Sequence, residues 1–248
     1  MPAPTIIART PPPPSRVWGL ASATFHEAGY EHLVELVHQR DPGARRRLES
    51  VELAVYDPTG VALGQRTIDV QGEIVDLAAA AAEIAGPAPR VMAVFDARYD
   101  DRIFPYRPHH YGYLRGPGGD APIYYAVNAA LGGVPDRIGA QRTNHFETYT
   151  FLRRALAARH SVLLGNLSRF APATAHVLAF YEGGGRAGDE ATLPPKAHAE
   201  VALPAEREGR RLERVEVKAP FRLASYVVGR RERSEEMVLF DHLFSYFT

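Results

Sequence analysis

Apolar and polar residues alternate along many short segments of the chain. In VELAVY (51–56), Val51, Leu53 and Val55 alternate with Glu52 and Ala54, and a period of two places neighbouring side chains on opposite faces of a β-strand. Turn sequences such as DPTG and EGGG separate the segments. The pattern predicts antiparallel β-sandwiches. The other predicted strands, rich in Val, Tyr and Phe, are HLVELVH, RTIDV, EIVDL, VMAVFDA, HVLAFY, RVEVKA, LASYVV and MVLFDHLFSYF.

Two segments are candidates for short helices. The first is the alanine-rich LAAAAAEI (Leu77–Ile84), and the second runs from Phe151 to Ala158, near the middle of the chain. Alanine has the highest intrinsic helix propensity. We therefore expect at most one short helix in each half of the chain.

The two halves of the chain resemble each other, which indicates an internal duplication. Five matches follow in the same order: ATF (23–25) with YTF (149–151), LAVYDPTG (53–60) with LAFYEGGG (178–185), Val75 and Leu77 with Val201 and Leu203, RVMAVFDAR (90–98) with RLASYVVGR (222–230), and HHYGYL (109–114) with DHLFSYF (241–247). The predicted fold class is all-β, with two tandem antiparallel β-sandwich domains from an internal duplication and at most short helices. The predicted domains are 17–118 and 145–248, with a flexible Pro-rich arm at 1–16 and an insert or linker at 119–144.

The second half also carries a pattern known from one family. Its segments NLS (Asn166–Ser168), LPPKAHAEVAL (193–203) and VKAPFRLASYVVGRRERSEE (217–236) precede a closing aromatic strand. In this order they resemble the small β-sandwich domain of the sensory rhodopsin transducer family, over His160–Tyr246 and more faintly over Val17–Tyr113. The resemblance implies an oligomer and binding to a membrane photoreceptor, with carbohydrate or DNA binding as further possibilities.

Composition narrows the functional classes. Lys plus Arg and Asp plus Glu both number 29, so the net charge is zero, and the overall basic surplus of a dedicated nucleic-acid-binding protein is missing. The chain has no cysteine, which excludes disulfides, thiolate metal sites and a cysteine nucleophile. No apolar run reaches the roughly 20 residues of a membrane span, and the N-terminus lacks the apolar core of a secretory signal. We expect a cytoplasmic protein.

Aromatic and ionisable residues crowd the end of the first predicted unit, in FDARYDD (95–101) and FPYRPHHYGYLRG (104–116). Tyrosine rings stack on sugars and arginine binds carboxylate or phosphate, whereas the same residue types are also enriched at protein interfaces. The main hypothesis is a polar small-molecule ligand, either a saccharide or an acidic metabolite. Its predicted binding residues are Asp96, Arg98, Tyr106, Arg107, His109, His110, Tyr111 and Tyr113.

A metal site is the alternative hypothesis. His145 and Glu147 in NHFETY share one face if the segment is a strand, and two such ligands with a second histidine form the facial set of an iron, manganese or zinc enzyme. The second histidine would be His109, His110 or His160. The competing interpretation places His145 and Glu147 on a solvated strand face. A third hypothesis is a structural subunit of a homo-oligomer, with the aromatic residues forming a subunit contact.

Overall fold

The fold is described from a computed structural model, which covers residues 18–36, 48–68, 74–99, 110–119, 121–130, 145–149, 152 and 157–247. The strands of the first unit form two antiparallel sheets. Sheet A has the order β4-β3-β6-β1-β9, and sheet B has the order β5-β2-β7-β8. The elements are β1 (Trp18–Glu27), β2 (Glu31–Glu35), β3 (Leu48–Tyr56), β4 (Ala62–Ile68), β5 (Ile74–Asp76), α1 (Leu77–Ala85), β6 (Arg90–Tyr99), β7 (Tyr111–Arg115), β8 (Ile123–Ala126) and β9 (Asn128–Ala130).

The second unit repeats this arrangement. Sheet C has the order β14-β11-β17-β18, and sheet D has the order β13-β12-β16-β10-β19, with the short β15 paired to β16. The strands are β10 (His145–Tyr149), β11 (Arg159–Gly165), β12 (Ala173–Tyr181), β13 (Gly185–Leu193), β14 (His198–Leu203), β15 (Glu206–Arg207), β16 (Arg210–Ala219), β17 (Ala224–Arg230), β18 (Met237–His242) and β19 (Phe244–Phe247).

The predicted duplication is confirmed by strand order. Sheet D matches sheet A strand for strand, and sheet C matches sheet B in the same way, once β15 is set aside. Within the described residues, each unit is thus a sandwich of nine equivalent strands, and the all-β fold in two units is confirmed.

Not every sequence match joins equivalent positions. Where the structure describes both partners, the first three matches fall on equivalent strands except at Leu77, which begins helix α1, whereas Leu203 lies on β14. Tyr56 lies on the outer face of its sheet, beside Lys196, whereas Tyr181 is buried in the second core. The last two matches are wrong, because the equivalents of β6 and β7 are β16 and β17. Arg98 on β6 therefore does not correspond to Arg230 on β17. Alternating apolar patterns are alike in all strands, so they do not identify the partner strand.

The segment that we predicted to be an insert contributes two strands to the first unit. β8 pairs with β7, and β9 pairs with β1. Because β8 belongs to sheet B and β9 to sheet A, the chain passes from one sheet to the other there and closes that side of the sandwich. Residues 121–130 are therefore part of the first unit.

Helix α1 covers the opposite, open side of the first sandwich. The Asp76 side chain accepts a hydrogen bond from the Ala79 amide at 2.9 Å and caps the helix N-terminus, and the helix ends at Gly86, whose φ is +61°. Ile84 reaches over Gly64 of β4, where a Cβ would leave no room for it. The predicted helix at Leu77–Ile84 is thereby confirmed. In the second candidate segment only residues 152, 157 and 158 are described, and none of these is helical.

Sheet C is buried on both faces. In β17, Val227 belongs to the core between sheets C and D, while Tyr226 and Val228 belong to a core shared with the first unit. That shared core reaches sheet A through Phe25, whose ring meets Tyr226 edge-on with centroids 5.8 Å apart. The layers of the molecule therefore follow the order B, A, C, D.

Candidate functional site

A cleft of about 490 Å³ opens between the two units. The first unit contributes the end of β1, the start of β6 and the turn after β7, and the second unit contributes β11, β14, β17 and the turn from β17 to β18. Clefts between domains are the usual place for small-molecule sites. The walls are polar: four glutamates and three arginines line them, together with Tyr30, His160, Ser161 and Ser234.

An ion-pair network joins the two units along one wall of the cleft. Arg230 of β17 donates to both carboxylate oxygens of Glu27 on β1, at 3.0 and 2.7 Å. Arg90 of β6 donates to Glu27 at 2.8 Å and to Glu200 of β14 at 2.6 Å. Burial alone would raise the pKa of Glu27, but the hydrogen bonds from Arg230 and Arg90 outweigh it and lower the pKa. Glu27 is therefore ionised and held by two arginines.

The remaining arginine of the cleft is paired as well. Arg159 binds Glu235 at 2.7 Å, where both side chains are at least half exposed. Ser161 donates to Glu200 through a short hydrogen bond. The three guanidinium groups are thus matched by Glu27, Glu200 and Glu235, and the fourth carboxylate, Glu236, is left over.

Glu236 is the unusual group of the site. The residue is only 8% exposed, and its Oε1 has no hydrogen-bond partner among the described residues. Its carboxylate lies against Gly116 and Gly118 in the turn after β7, where a Cβ on either glycine would collide with it. A buried carboxylate oxygen without a partner is costly. The cleft therefore offers one unmatched anionic group, which favours a cation or a hydrogen-bond donor.

None of the residues predicted from the sequence indicated this site. The segment RRERSEE (230–236) has the composition of a mixed-charge solvated turn, but the Arg230 side chain is only 13% exposed and Glu236 is buried. Glu27, Arg90 and Glu200 belong to no sequence motif. The glycines of GPGG (116–119) were the one feature of the sequence that could have indicated a close contact with another side chain, here the Glu236 carboxylate.

The predicted ligand-binding residues whose side chains the structure describes do not lie at this cleft. His110 is fully buried, Tyr111 is 47% exposed, and Tyr113 is half-buried with its ring edge-on to Tyr124 at 5.3 Å. The cleft meets the far end of β7, at Pro117. For Asp96 and Arg98 the backbone alone is described, at alternate positions of β6. Tyr106, Arg107 and His109 lie outside the described residues, so a site in this loop stays a prediction.

Among the predicted metal ligands, His160 lies on β11 in the same unit as positions 145 and 147, but His110 does not. His110 lies in the first unit, whereas positions 145 and 147 lie on β10 in register with Ala219 and Val217, whose side chains are buried. The side chains of His145 and Glu147 are not among those described. Within the described part of the chain, no three His, Asp or Glu residues are arranged to hold a metal ion. The metal site therefore stays a prediction.

A buried polar chain crosses the first sandwich. The Tyr125 hydroxyl lies 2.7 Å from Thr24 Oγ1 and 2.6 Å from His32 Nε2, and the His32 ring lies 5.7 Å from that of His26. Burial lowers the pKa of His32 to about 3. A neutral histidine is thereby fixed in the core. Because Gly112 leaves the space that the Tyr125 ring fills, this group of hydrogen-bonded side chains is an integral part of the sandwich.

Comparisons with protein-family models, with curated proteins and with solved structures find no match for the chain. The resemblance to the transducer family stays a prediction. No helix within the described ranges is long and apolar enough to cross a membrane.

Proposed function

We propose that the protein binds a small polar molecule that carries a protonated amine, in the cleft between the two units. The observation that supports the proposal is the buried Glu236 carboxylate, whose Oε1 has no described partner and which lines the cleft. An ammonium group supplies both the charge and the hydrogen bonds that this carboxylate needs.

The rest of the cleft determines which molecules fit. The hydroxyl groups of Ser161 and Ser234 line the cleft and can exchange hydrogen bonds with ligand hydroxyls. The arginines are engaged by Glu27, Glu200 and Glu235, so an acidic metabolite would have to displace one of these carboxylates. Of the two ligand types predicted from the sequence, we therefore favour a hydroxyl-bearing molecule with an amine over an acid.

Thermal unfolding with matched probe pairs tests the proposal. Glucosamine and glucose differ in one amine group, and 1,4-diaminobutane and butane-1,4-diol differ in two. Glutamate serves as the acidic probe. At 100 times its dissociation constant a ligand stabilises the folded state by about 2.7 kcal/mol, which corresponds to roughly 5–10 °C in a chain of this size. We expect such a shift with at least one of the two amines and none with the neutral probes or with glutamate.

Two variants locate the binding. Glu236→Gln removes the charge of the buried carboxylate and is expected to abolish the amine-dependent shift. Glu235→Gln is the matched control, because this neighbouring side chain is 69% exposed and faces Arg159 at the rim, and it should keep the shift. The proposal fails if Glu236→Gln responds to amines like the unmodified protein, or if neither amine probe produces a shift.

A further inference from the structure

The outer face of sheet B exposes an apolar surface. Of the five large apolar or aromatic side chains that are exposed within the described residues, three lie on this face: Tyr124 at 74%, Ile74 at 62% and Tyr111 at 47%. Tyr113 and Leu33, both half-buried, lie between them. We call these five residues the tyrosine face. Contiguous exposed apolar surface of this kind usually marks an interaction site.

The same face of the equivalent sheet in the second unit is already covered. On the outer face of sheet C, Tyr226, Val228 and Phe240 are at most 1% exposed and pack against the first unit. The rings of Tyr226 and Phe240 stack with centroids 4.7 Å apart, and the Tyr226 hydroxyl donates to the Ala23 carbonyl of sheet A. Within the chain, the outer face of sheet C is thus covered by the outer face of sheet A. By equivalence, the surface expected to cover the outer face of sheet B is the outer face of sheet A or of its equivalent, sheet D.

We propose that the tyrosine face docks on the outer face of sheet D of a second copy of this chain. Sheet D is the equivalent of sheet A, so this contact would repeat between chains the packing that joins sheets A and C within the chain. The outer face of sheet D also carries partly exposed apolar groups, Leu178 and Phe180, and the guanidinium group of Arg214 lies 3.9 Å from the Phe180 ring.

Charge favours this pairing over a contact between two tyrosine faces. The strands of sheet B place three carboxylates and one arginine on the outer face, namely Glu31, Glu35, Asp76 and Arg115. The residues of β13 and β16 that pair with outward positions of β12 carry three cations and two carboxylates, namely Arg186, Arg214, Lys218, Glu190 and Glu216. Like charges would oppose two copies of the first surface, whereas the two different surfaces attract each other.

The contact is head-to-tail, so each chain keeps one free surface of each kind and the assembly can grow. Four strands about 4.8 Å apart and about five residues long give a smaller contact than the roughly 800 Å² per partner of a stable complex. We therefore expect an assembly that depends on protein concentration.

Sedimentation velocity of the full chain, measured across a concentration series with surface variants, tests the proposal. Tyr124→Lys blocks the tyrosine face, and Lys218→Glu blocks the face of sheet D. We expect the average mass of the unmodified protein to rise with concentration and each variant alone to stay monomeric. An equal mixture of the two variants should form dimers and nothing larger, because only one pair of intact surfaces remains. Circular dichroism and thermal unfolding verify that both variants are folded.

Phe170→Ser is the matched control. Phe170 is 67% exposed but lies between β11 and β12, outside both surfaces, so its variant should assemble like the unmodified protein. A monomer at every concentration would overturn the proposal, as would assembly that Lys218→Glu leaves intact or a variant mixture that stays monomeric. If the protein stays monomeric and cellotetraose stabilises it but not the Tyr124→Lys variant, the tyrosine face is instead a saccharide-binding surface.

Discussion

At the scale of single residues, the histidines of the core are the main departure from an ordinary sandwich. His32 is fully buried beside Tyr125, and His198 is 5% exposed, with its ring 5.4 Å from that of Phe25. Burial lowers the pKa of His32 to about 3 and that of His198 to about 4. Both side chains are therefore neutral in the folded protein well below the pH at which the unfolded chain binds protons.

This difference predicts that acidification between pH 7 and pH 5 destabilises the protein. In that range the unfolded chain takes up a proton at each of these histidines near pH 6.5, whereas the folded protein does not. The free energy of unfolding therefore decreases as the pH decreases. At pH 5 each of the two histidines lowers it by about 2 kcal/mol. Urea unfolding across this range measures the effect.

A His198→Leu variant separates the histidine contribution from that of other groups. Leucine keeps an apolar contact with Phe25 but cannot titrate, so we expect roughly half of the loss that His32 and His198 together cause between pH 7 and pH 5 to disappear. Between pH 7.5 and 8.5 the stability should not depend on these two histidines, because they are neutral in both states. An unchanged slope in the variant would contradict the assignment.

At the scale of elements, local sequence signals specified the strands and the helix. Val51, Leu53 and Val55 are fully buried, as their alternation in sequence predicts. β2 and β7 alternate between buried and exposed positions, whereas the equivalent β11 and β17 are buried almost throughout. Continuous apolar runs such as SVLL and SYVV are typical of strands covered on both faces. This contrast was the available signal that sheet C lies inside the molecule.

The cap of α1 allows a test at this scale. Asp76→Ala removes the side-chain acceptor for the Ala79 amide and is expected to lower the free energy of unfolding by about 0.5–2 kcal/mol. Asp76→Asn keeps an equivalent capping oxygen and should cost much less. Urea denaturation of both variants at pH 7 makes the comparison, and equal losses in the two would show that the cap is not responsible.

At the scale of the whole molecule, the two units are not independent domains. Separation of the units would expose Tyr226, Val228 and Phe240 on sheet C and the facing surface of sheet A. At about 1.5–3 kcal/mol for each large apolar side chain, these three residues alone couple the units by roughly 5–9 kcal/mol. The ion pairs of Glu27 with Arg90 and Arg230 lie at the edge of the same interface.

We therefore predict that the chain unfolds in one cooperative transition. Differential scanning calorimetry should show a single peak whose calorimetric and van't Hoff enthalpies agree. Phe240→Ala, which removes a fully buried ring from the interface, should lower the stability by about 3–5 kcal/mol. Two separate peaks in the unmodified protein would contradict the shared core.

Sequence and structure agree on the fold more than on the site. The β-strands, the turns, helix α1 and the duplication follow from periodicity, composition and internal similarity. The pairing of the later strands did not follow, because one alternating strand resembles another and only hydrogen-bond register shows that β6 corresponds to β16. Tyr125, which joins His32 to Thr24, belongs to a segment that we predicted to be an insert.

By itself, the sequence determined which face each residue of a strand takes, because that choice depends only on neighbours two positions away. Only the tertiary structure decided which distant residues meet. Glu27 and Arg230 bind each other across 203 positions of sequence, and Glu236 is buried against Gly116 and Gly118 of the other unit. These contacts depend on how two sheets pack, which no local pattern encodes. The cleft and the covered face of sheet C are therefore properties of the assembled fold.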